Sequence, residues 1–434
     1  MASDKGDRDL LIRLARSYGT PAYVLDVGRL VDNYRAFAAE LSAVAARTRV
    51  LFSLKTNYLP AAVRPLHAAG AGVDVVSGYE LAIALRMGIP GTDVVFNGPA
   101  KAQGDLAAAV RAGVFVNIDG IEEIGWLAQA ARSAGRRLDV GLRVQAGEDL
   151  HAPPGAPSRR QYPSKFGWPV DSGDADRILA LINAEPDLRL VGVHVHLGSQ
   201  LTEAARYEAA LREVGCWVAR ARQVATIDRI NVGGGFPVPG IRRFTGVAHG
   251  LTGVKPLAIA DDKVPYPVPG LFGELTAVLR ELGLDDLAVI AEPGRAVVSD
   301  AMTLLSTVAS VKELRDGRWV LLDAGLNLLP TAGAAEKHLF ECLTCDGTQV
   351  ATMVGGPLCY EGDVFGLDIP LPQRIKAGDV VVIRDAGAYS VTRATSFNRL
   401  RCKVISVTGD EVELSWRDET VDDILRFAAE AAGR

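Results

Sequence analysis

RVLFSLKTN, residues 49–57, is a largely apolar run that ends at a lysine. It lacks the strict alternation of a strand with one wet face. It therefore fits a strand buried on both sides, as in a parallel sheet. Seven further runs share this character: GVDVVSG (72–78), DVVFNG (93–98), VFVNID (114–119), LDVGLRV (138–144), LVGVHVHLGS (190–199), RINVGGG (229–235) and LAVIAEPG (287–294). Between them lie stretches with apolar residues at helical spacing. PAAVRPLHAAG, GYELAIALRMG and KAQGDLAAAVRAG each close on a glycine. Strands alternating with helices imply βαβ units, and eight of them over about 245 residues match the size of a (β/α)8 barrel. Seven helices fall between the strands. VGRLVDNYRAFAAELSAVAART (27–48), ahead of the first strand, supplies an eighth.

Past Arg295 the pattern changes. WVLLDAG, DVVVIRDAGAYSV, RCKVISVTGD and EVELSWR read as strands joined by turns, and VDDILRFAAEAAGR as a closing helix. The expected organisation is an N-terminal segment (1–26) packed with a β-rich domain, a (β/α)8 barrel over 27–294, and the β-rich domain itself over 295–434. The segment 236–268 is rich in Pro and Gly, has no clear period, and is expected to form an insertion or mobile loop near the barrel mouth.

The chain has 434 residues, 48% hydrophobic and 23% charged, with a net charge of −5. That balance provides a generous core and argues against a nucleic-acid partner. No apolar run reaches membrane-spanning length, and the charged N-terminus has no signal core, so a cytoplasmic protein without a membrane partner is expected. The five cysteines are irregularly spaced. Cys342 and Cys345 form one C-x-x-C pair with no second pair to complete a zinc site, so no metal is expected.

In such barrels the chemistry gathers at the C-terminal ends of the strands. Here those ends carry Lys55, Asp74 with Ser77, Arg143, His194 with His196 and Ser199, Gly233 to Gly235, and Glu292 with Arg295. Each has an ordinary reading alone: a solvated lysine, a core histidine, a turn. Together they suit pyridoxal phosphate (PLP). That cofactor needs an amine for its aldehyde, backbone amides for its phosphate, a side chain against its ring, and a charged partner for its ring nitrogen.

The motifs FSLKTN (52–57), GVDVVSGYEL (72–81), SKFG (164–167), HVHLGSQ (194–200), VGGG (232–235), EPGR (292–295), LDAG (322–325), GPLCYEGD (356–363), GAY (387–389) and FN (397–398) occur in this order. Over roughly residues 20 to 400 the chain resembles the diaminopimelate and ornithine decarboxylase family, fold-type III PLP enzymes with an alanine-racemase-like barrel. The resemblance implies a homodimeric amino-acid decarboxylase with shared active sites. Lys55 would carry PLP, His196 would stack on its ring, and Glu292 would pair with its ring nitrogen. Ser199, Gly233, Gly234, Gly235, Arg295 and Tyr389 would hold its phosphate, with Asp74 supporting Lys55. Cys359 would donate a proton from the partner subunit. Arg295, Asp323, Tyr360, Glu361 and Tyr389 would face the substrate.

Two departures stand out. The family's substrate-binding arginine is missing from LNLLPTAGAAEKH (326–338), where Arg393 is a candidate substitute. Tyr360 also stands where the family has an acidic residue after the cysteine. Both favour a specialised small-molecule substrate, such as a siderophore or antibiotic intermediate or a carrier-bound aminoacyl group. The alternatives are an authentic diaminopimelate decarboxylase, an amino-acid racemase, and a non-catalytic binding protein of the same fold.

Overall fold

The structure is a computed structural model that describes residues 5–147, 164–199, 204–238, 242–248, 255–259, 271–315, 317–332 and 336–432. The chain divides into two compact units: 31–238 with 264–297, and 1–30 with 239–263 and 298–434.

In the first unit, eight strands form a closed parallel barrel: β1 (Thr48–Ser53), β2 (Gly72–Val75), β3 (Val94–Phe96), β4 (Phe115–Ile118), β5 (Leu138–Gln145), β6 (Leu188–Val195), β7 (Arg229–Asn231) and β8 (Ala288–Ala291). Each pairs with the next in sequence, and β8 closes the ring by pairing with β1. Helices connect successive strands, as the alternating pattern predicts. One of them, Gly78–Arg86, starts on a reciprocal cap: Ser77 Oγ accepts from Glu80 N (3.2 Å), and Glu80 Oε2 accepts from Val76 N (2.7 Å).

The barrel interior changes character along its axis. Leu51, Val95 and Ile290, with Phe115 against them, form an apolar cluster. Truncating such a side chain costs about 2–5 kcal/mol. Side chains two positions apart on a strand share a face. The next interior positions toward the C-terminal ends are therefore Ser53, Asn97, Asn117 and Glu292, all polar and all buried. An apolar floor beneath a polar layer places the site before any ligand is considered.

The second unit is mostly sheet. The strand Met302–Leu314 pairs with Ala22–Asp26, Gly317–Leu322 and Val380–Ile383. Ala22–Asp26 also pairs in parallel with Val404–Thr408. The helix Lys5–Tyr18 packs Leu11, Leu14 and Ala15 into a cluster with Ala22, Leu305, Val382 and Ile405. The segment read as aperiodic contains an antiparallel pair, Arg242–Ala248 with Lys255–Ile259, and Arg242 and Arg243 pair with Lys337 and Glu336. Glycine and proline blur its alternation, so the ladder rather than the side-chain pattern defines it. The rest of 236–268 lies largely outside the described residues. Among the described residues, no helix is long and apolar enough to cross a membrane.

Candidate active site

Lys55, Asp74, His196 and Glu292, with the glycine turn 233–235, come together at the rim of the barrel unit. Lys55 Nζ lies 2.9 Å from Asp74 Oδ2, which also accepts from Ser53 Oγ at 2.7 Å. Asp74 Oδ1 accepts from Asn97 Nδ2 at 2.5 Å. The same Asn97 nitrogen donates to Glu292 Oε1 at 2.7 Å, and Asn231 Nδ2 donates to that oxygen at 2.5 Å. Glu292 Oε2 faces His194 Nε2 at 3.6 Å. Burial alone raises the Glu292 carboxyl. The His194 ring, then Lys55 and the Asn231 amide, more than offset this and hold it below the usual carboxylate range.

His196 follows the end of β6. The Gly234 N–H donates to its Nδ1 at 3.3 Å, which leaves the ring proton on Nε2. Burial first, then the charges of Lys55 and His194, push the ring down to about 3, so it is neutral at physiological pH. A neutral ring suits packing against another flat ring.

The glycine triplet after β7 is built for close approach. Gly233 and Gly235 have φ of +70° and +90°. A Cβ on Gly234 would stand 2.4 Å from Glu292 O, and one on Gly235 2.0 Å from Gly198 O. Only glycine fits here. The Gly233 N–H donates to Asn231 Oδ1 at 2.9 Å and the Gly234 N–H to His196 Nδ1, so an anion at this turn would rest on the Gly235 amide. Ser199 is half-buried after β6. Arg295, also half-buried, opens the short helix Arg295–Val298 after β8.

A second buried group adjoins the rim. Arg143 NH1 lies 3.1 Å from Asp119 Oδ2, and its guanidinium sits 4.6 Å from the Phe166 ring centre. Asp119 Oδ1 accepts from Gly167 N at 2.8 Å, which fastens the SKFG segment to β4. Behind it Lys101 pairs with Glu123 at 2.8 Å, both buried.

The other expected residues belong to the sheet unit. Cys359, Tyr360 and Glu361 are exposed on the turn 356–363. Asp363 anchors that turn by accepting from Leu326 N (2.8 Å) and Leu358 N (2.7 Å). The Tyr360 and Phe397 rings meet edge-to-face, 5.7 Å apart at 82°. They border a hollow of about 460 Å3 lined also by Leu326, Asn327, Pro330 and Thr395, with no carboxylate among its described lining residues. Arg393 is exposed. Tyr389 adopts a left-handed backbone (φ 58°). Cys342 and Cys345 are half-buried free thiols.

Asp323 follows the strand Gly317–Leu322. Its Oδ1 accepts from Ser306 Oγ (2.6 Å) and Thr307 N (2.9 Å), and its Oδ2 from Thr20 Oγ1 (2.5 Å). Three internal donors on one carboxylate make it a fastening of the sheet. The sequence reading passed over Asn97, Asn117 and Asn231. Their signal was their position, an interior-facing asparagine at or next to the end of a barrel strand.

The site fits PLP in its donor set: an amine beside a buried carboxylate, a second carboxylate held as an anion, a neutral imidazole and a glycine cradle. The chain matches, over residues 27–299, the family described as "Pyridoxal-dependent decarboxylase, pyridoxal binding domain". It is 32% identical to a diaminopimelate decarboxylase of Actinosynnema pretiosum subsp. auranticum, covering 95% of this chain and 90% of that one. It is 30% identical to the diaminopimelate decarboxylase of Zymomonas mobilis, covering 96% and 94%. Among solved structures, the diaminopimelate decarboxylase of M. jannaschii in complex with L-lysine superposes with a TM-score of 0.81 at 27% identity, covering 95% of this chain and 93% of that one. A PLP site of this chemistry, on a barrel joined to a sheet domain, with similarity over nearly the whole length, places the chain in the PLP-dependent decarboxylases of the diaminopimelate and ornithine decarboxylase family.

Proposed function

We propose that this enzyme removes one carboxyl group of diaminopimelate as carbon dioxide and releases lysine. The observation that carries this reading is the near-full-length similarity to relatives named for that activity. The expectation of a specialised or carrier-bound substrate gains no support from the comparisons and gives way to it. The racemase and non-catalytic alternatives give way to membership of a decarboxylase family.

In this reading Lys55 Nζ is the amine that holds the cofactor's aldehyde carbon, and Asp74 orients it. Glu292 would pair with the ring nitrogen, and His196 would pack on the ring face. Ser199, the glycine turn through its Gly235 amide, and Arg295 would hold the phosphate. Bound, the cofactor supplies an electron sink for the pair left behind when the carboxylate departs. The chain's own groups do the rest. Lys55 exchanges a proton at Nζ with Asp74 as its counter-charge. The Cys359 thiol, exposed on its turn, would protonate the substrate carbon in the barrel of a second copy. Glu361, beside Tyr360, is the acidic group of that turn available to the distal amino group.

The PLP-loaded protein should release carbon dioxide and lysine from diaminopimelate in equal amounts, with ornithine and lysine turned over at least about a hundredfold more slowly. If diaminopimelate yields no carbon dioxide while an amino acid with an uncharged tail is consumed, the apolar wall beside Tyr360 sets the substrate instead.

A further inference from the structure

Two buried carboxylates of the rim, Asp74 and Glu292, share one donor. Asn97 Nδ2 carries two N–H bonds, one directed to Asp74 Oδ1 (2.5 Å) and one to Glu292 Oε1 (2.7 Å). Its own Oδ1 accepts from Asn117 Nδ2 at 2.7 Å. That third bond fixes the amide. Turned over, it would aim an oxygen at two carboxylates and an N–H at an N–H. Asn117 in turn has room only because residue 141 is glycine: a Cβ there would stand 1.8 Å from Asn117 Oδ1. Three strand ends and one missing methyl group thus orient a single amide between the partner of Lys55 and the carboxylate assigned to the ring nitrogen.

We propose that Asn97 is a positioning residue that joins Asp74 and Glu292 into one electrostatic unit, so that the charge on Lys55 is tied to the charge on Glu292. This rests on the reading of Lys55 and Glu292 as the two cofactor-facing groups. A carboxylate in that place has no N–H to give, and an aliphatic side chain would leave two buried oxygens short of a donor. Among the described residues, Glu80 faces Asp74 and both His194 and His196 face Glu292, with Arg143 acting on His196. Glu292 Oε1 takes both its donors from amides, Asn97 and Asn231. The amides therefore give it donors without adding any charge of their own, while the charges that hold it low come from His194 and Lys55.

The test begins on the cofactor-free protein. Lys55 is labelled by reductive methylation with 13C-formaldehyde, and its titration is followed by NMR. In Asn97→Leu a proton enters the unsupported carboxylate pair, the counter-charge beside Nζ weakens, and the Lys55 titration falls by about one unit or more. Asn97→Ser keeps one donor and shifts it by a smaller amount in the same direction, which preserves the test if the leucine variant does not fold. In Asn97→Asp a third carboxyl joins the pair. Affinity for PLP, read by absorbance titration, then weakens with rising pH relative to the wild type, by up to about tenfold per unit. Folded variants, verified by circular dichroism, that leave the Lys55 titration and the pH profile of PLP affinity unmoved overturn the proposal. Failure of the underlying reading looks different: borohydride treatment of wild-type protein with PLP would trap no adduct on the Lys55 peptide.

Discussion

At the barrel rim, Asp74 and Glu292 are buried, and their oxygens meet an ammonium, a hydroxyl, amides and an imidazole within one connected network. On the turn 356–363, Cys359, Tyr360 and Glu361 are exposed, and it is Asp363 behind them that takes the backbone bonds. The first region holds charges in fixed places where low dielectric makes them strong. The second holds a backbone in place and leaves its side chains to meet whatever arrives. A residue swap should accordingly cost far more at the rim than on the turn, and three measurements bear on that difference.

The largest effect is expected for Glu292→Gln. The shape is kept and the Asn97 and Asn231 donors still find an oxygen, but the anion is gone. Carbon dioxide release should fall by about 10²–10³-fold, the range seen when one preorganised electrostatic group is removed. A fall of less than tenfold would mean the buried carboxylate is not the electronic partner of the cofactor.

Next comes Glu80, behind the rim. Burial first, with Asp74 adding and the Val76 N–H and Lys55 opposing, pushes it up to about 7. Its ordinary value in the unfolded chain is lower, so the native state binds more protons between about 4.5 and 7. Stability contributed by this group therefore falls as pH rises through that window, by up to about 3 kcal/mol. Glu80→Gln should raise Tm at pH 8 and leave it nearly unchanged at pH 4. A Tm gain equal at both pH values would show that the charge is not what matters.

The smallest effect belongs to the turn. Tyr360→Ala removes an edge-to-face contact with Phe397, worth about 0.5–1.5 kcal/mol. It should raise KM a few-fold with kcat nearly constant. A collapse of kcat would place Tyr360 in the chemistry and erase the contrast between the two regions.

The barrel was legible because its strands are buried on both faces, and an apolar run such as RVLFS or DVVF has few other ways to be satisfied. The sheet unit was legible only in part. Gln349–Gly355 and Val364–Pro372 pair with each other, yet both mix buried and exposed positions irregularly, and a bulge breaks their register. Lys55, Asp74, His196 and Glu292 were visible as charged or titratable groups at strand ends. Asn97 was not. Asn-Gly reads as a turn signal, and nothing local says that its amide lies between two carboxylates contributed by strands far apart in sequence. Asp323 shows the same limit: its partners Thr20, Ser306 and Thr307 are brought to it by pairing that only the folded chain reveals.

Gly141 has no charge and no side chain, yet the space above its Cα is where the Asn117 amide sits. A methyl group at that point would rotate one amide, which would release a second, and two carboxylates would be left to share a proton. An alanine at Gly141 is therefore an electrostatic mutation in steric disguise. The acidity of this barrel is written partly in the volume its backbone leaves empty.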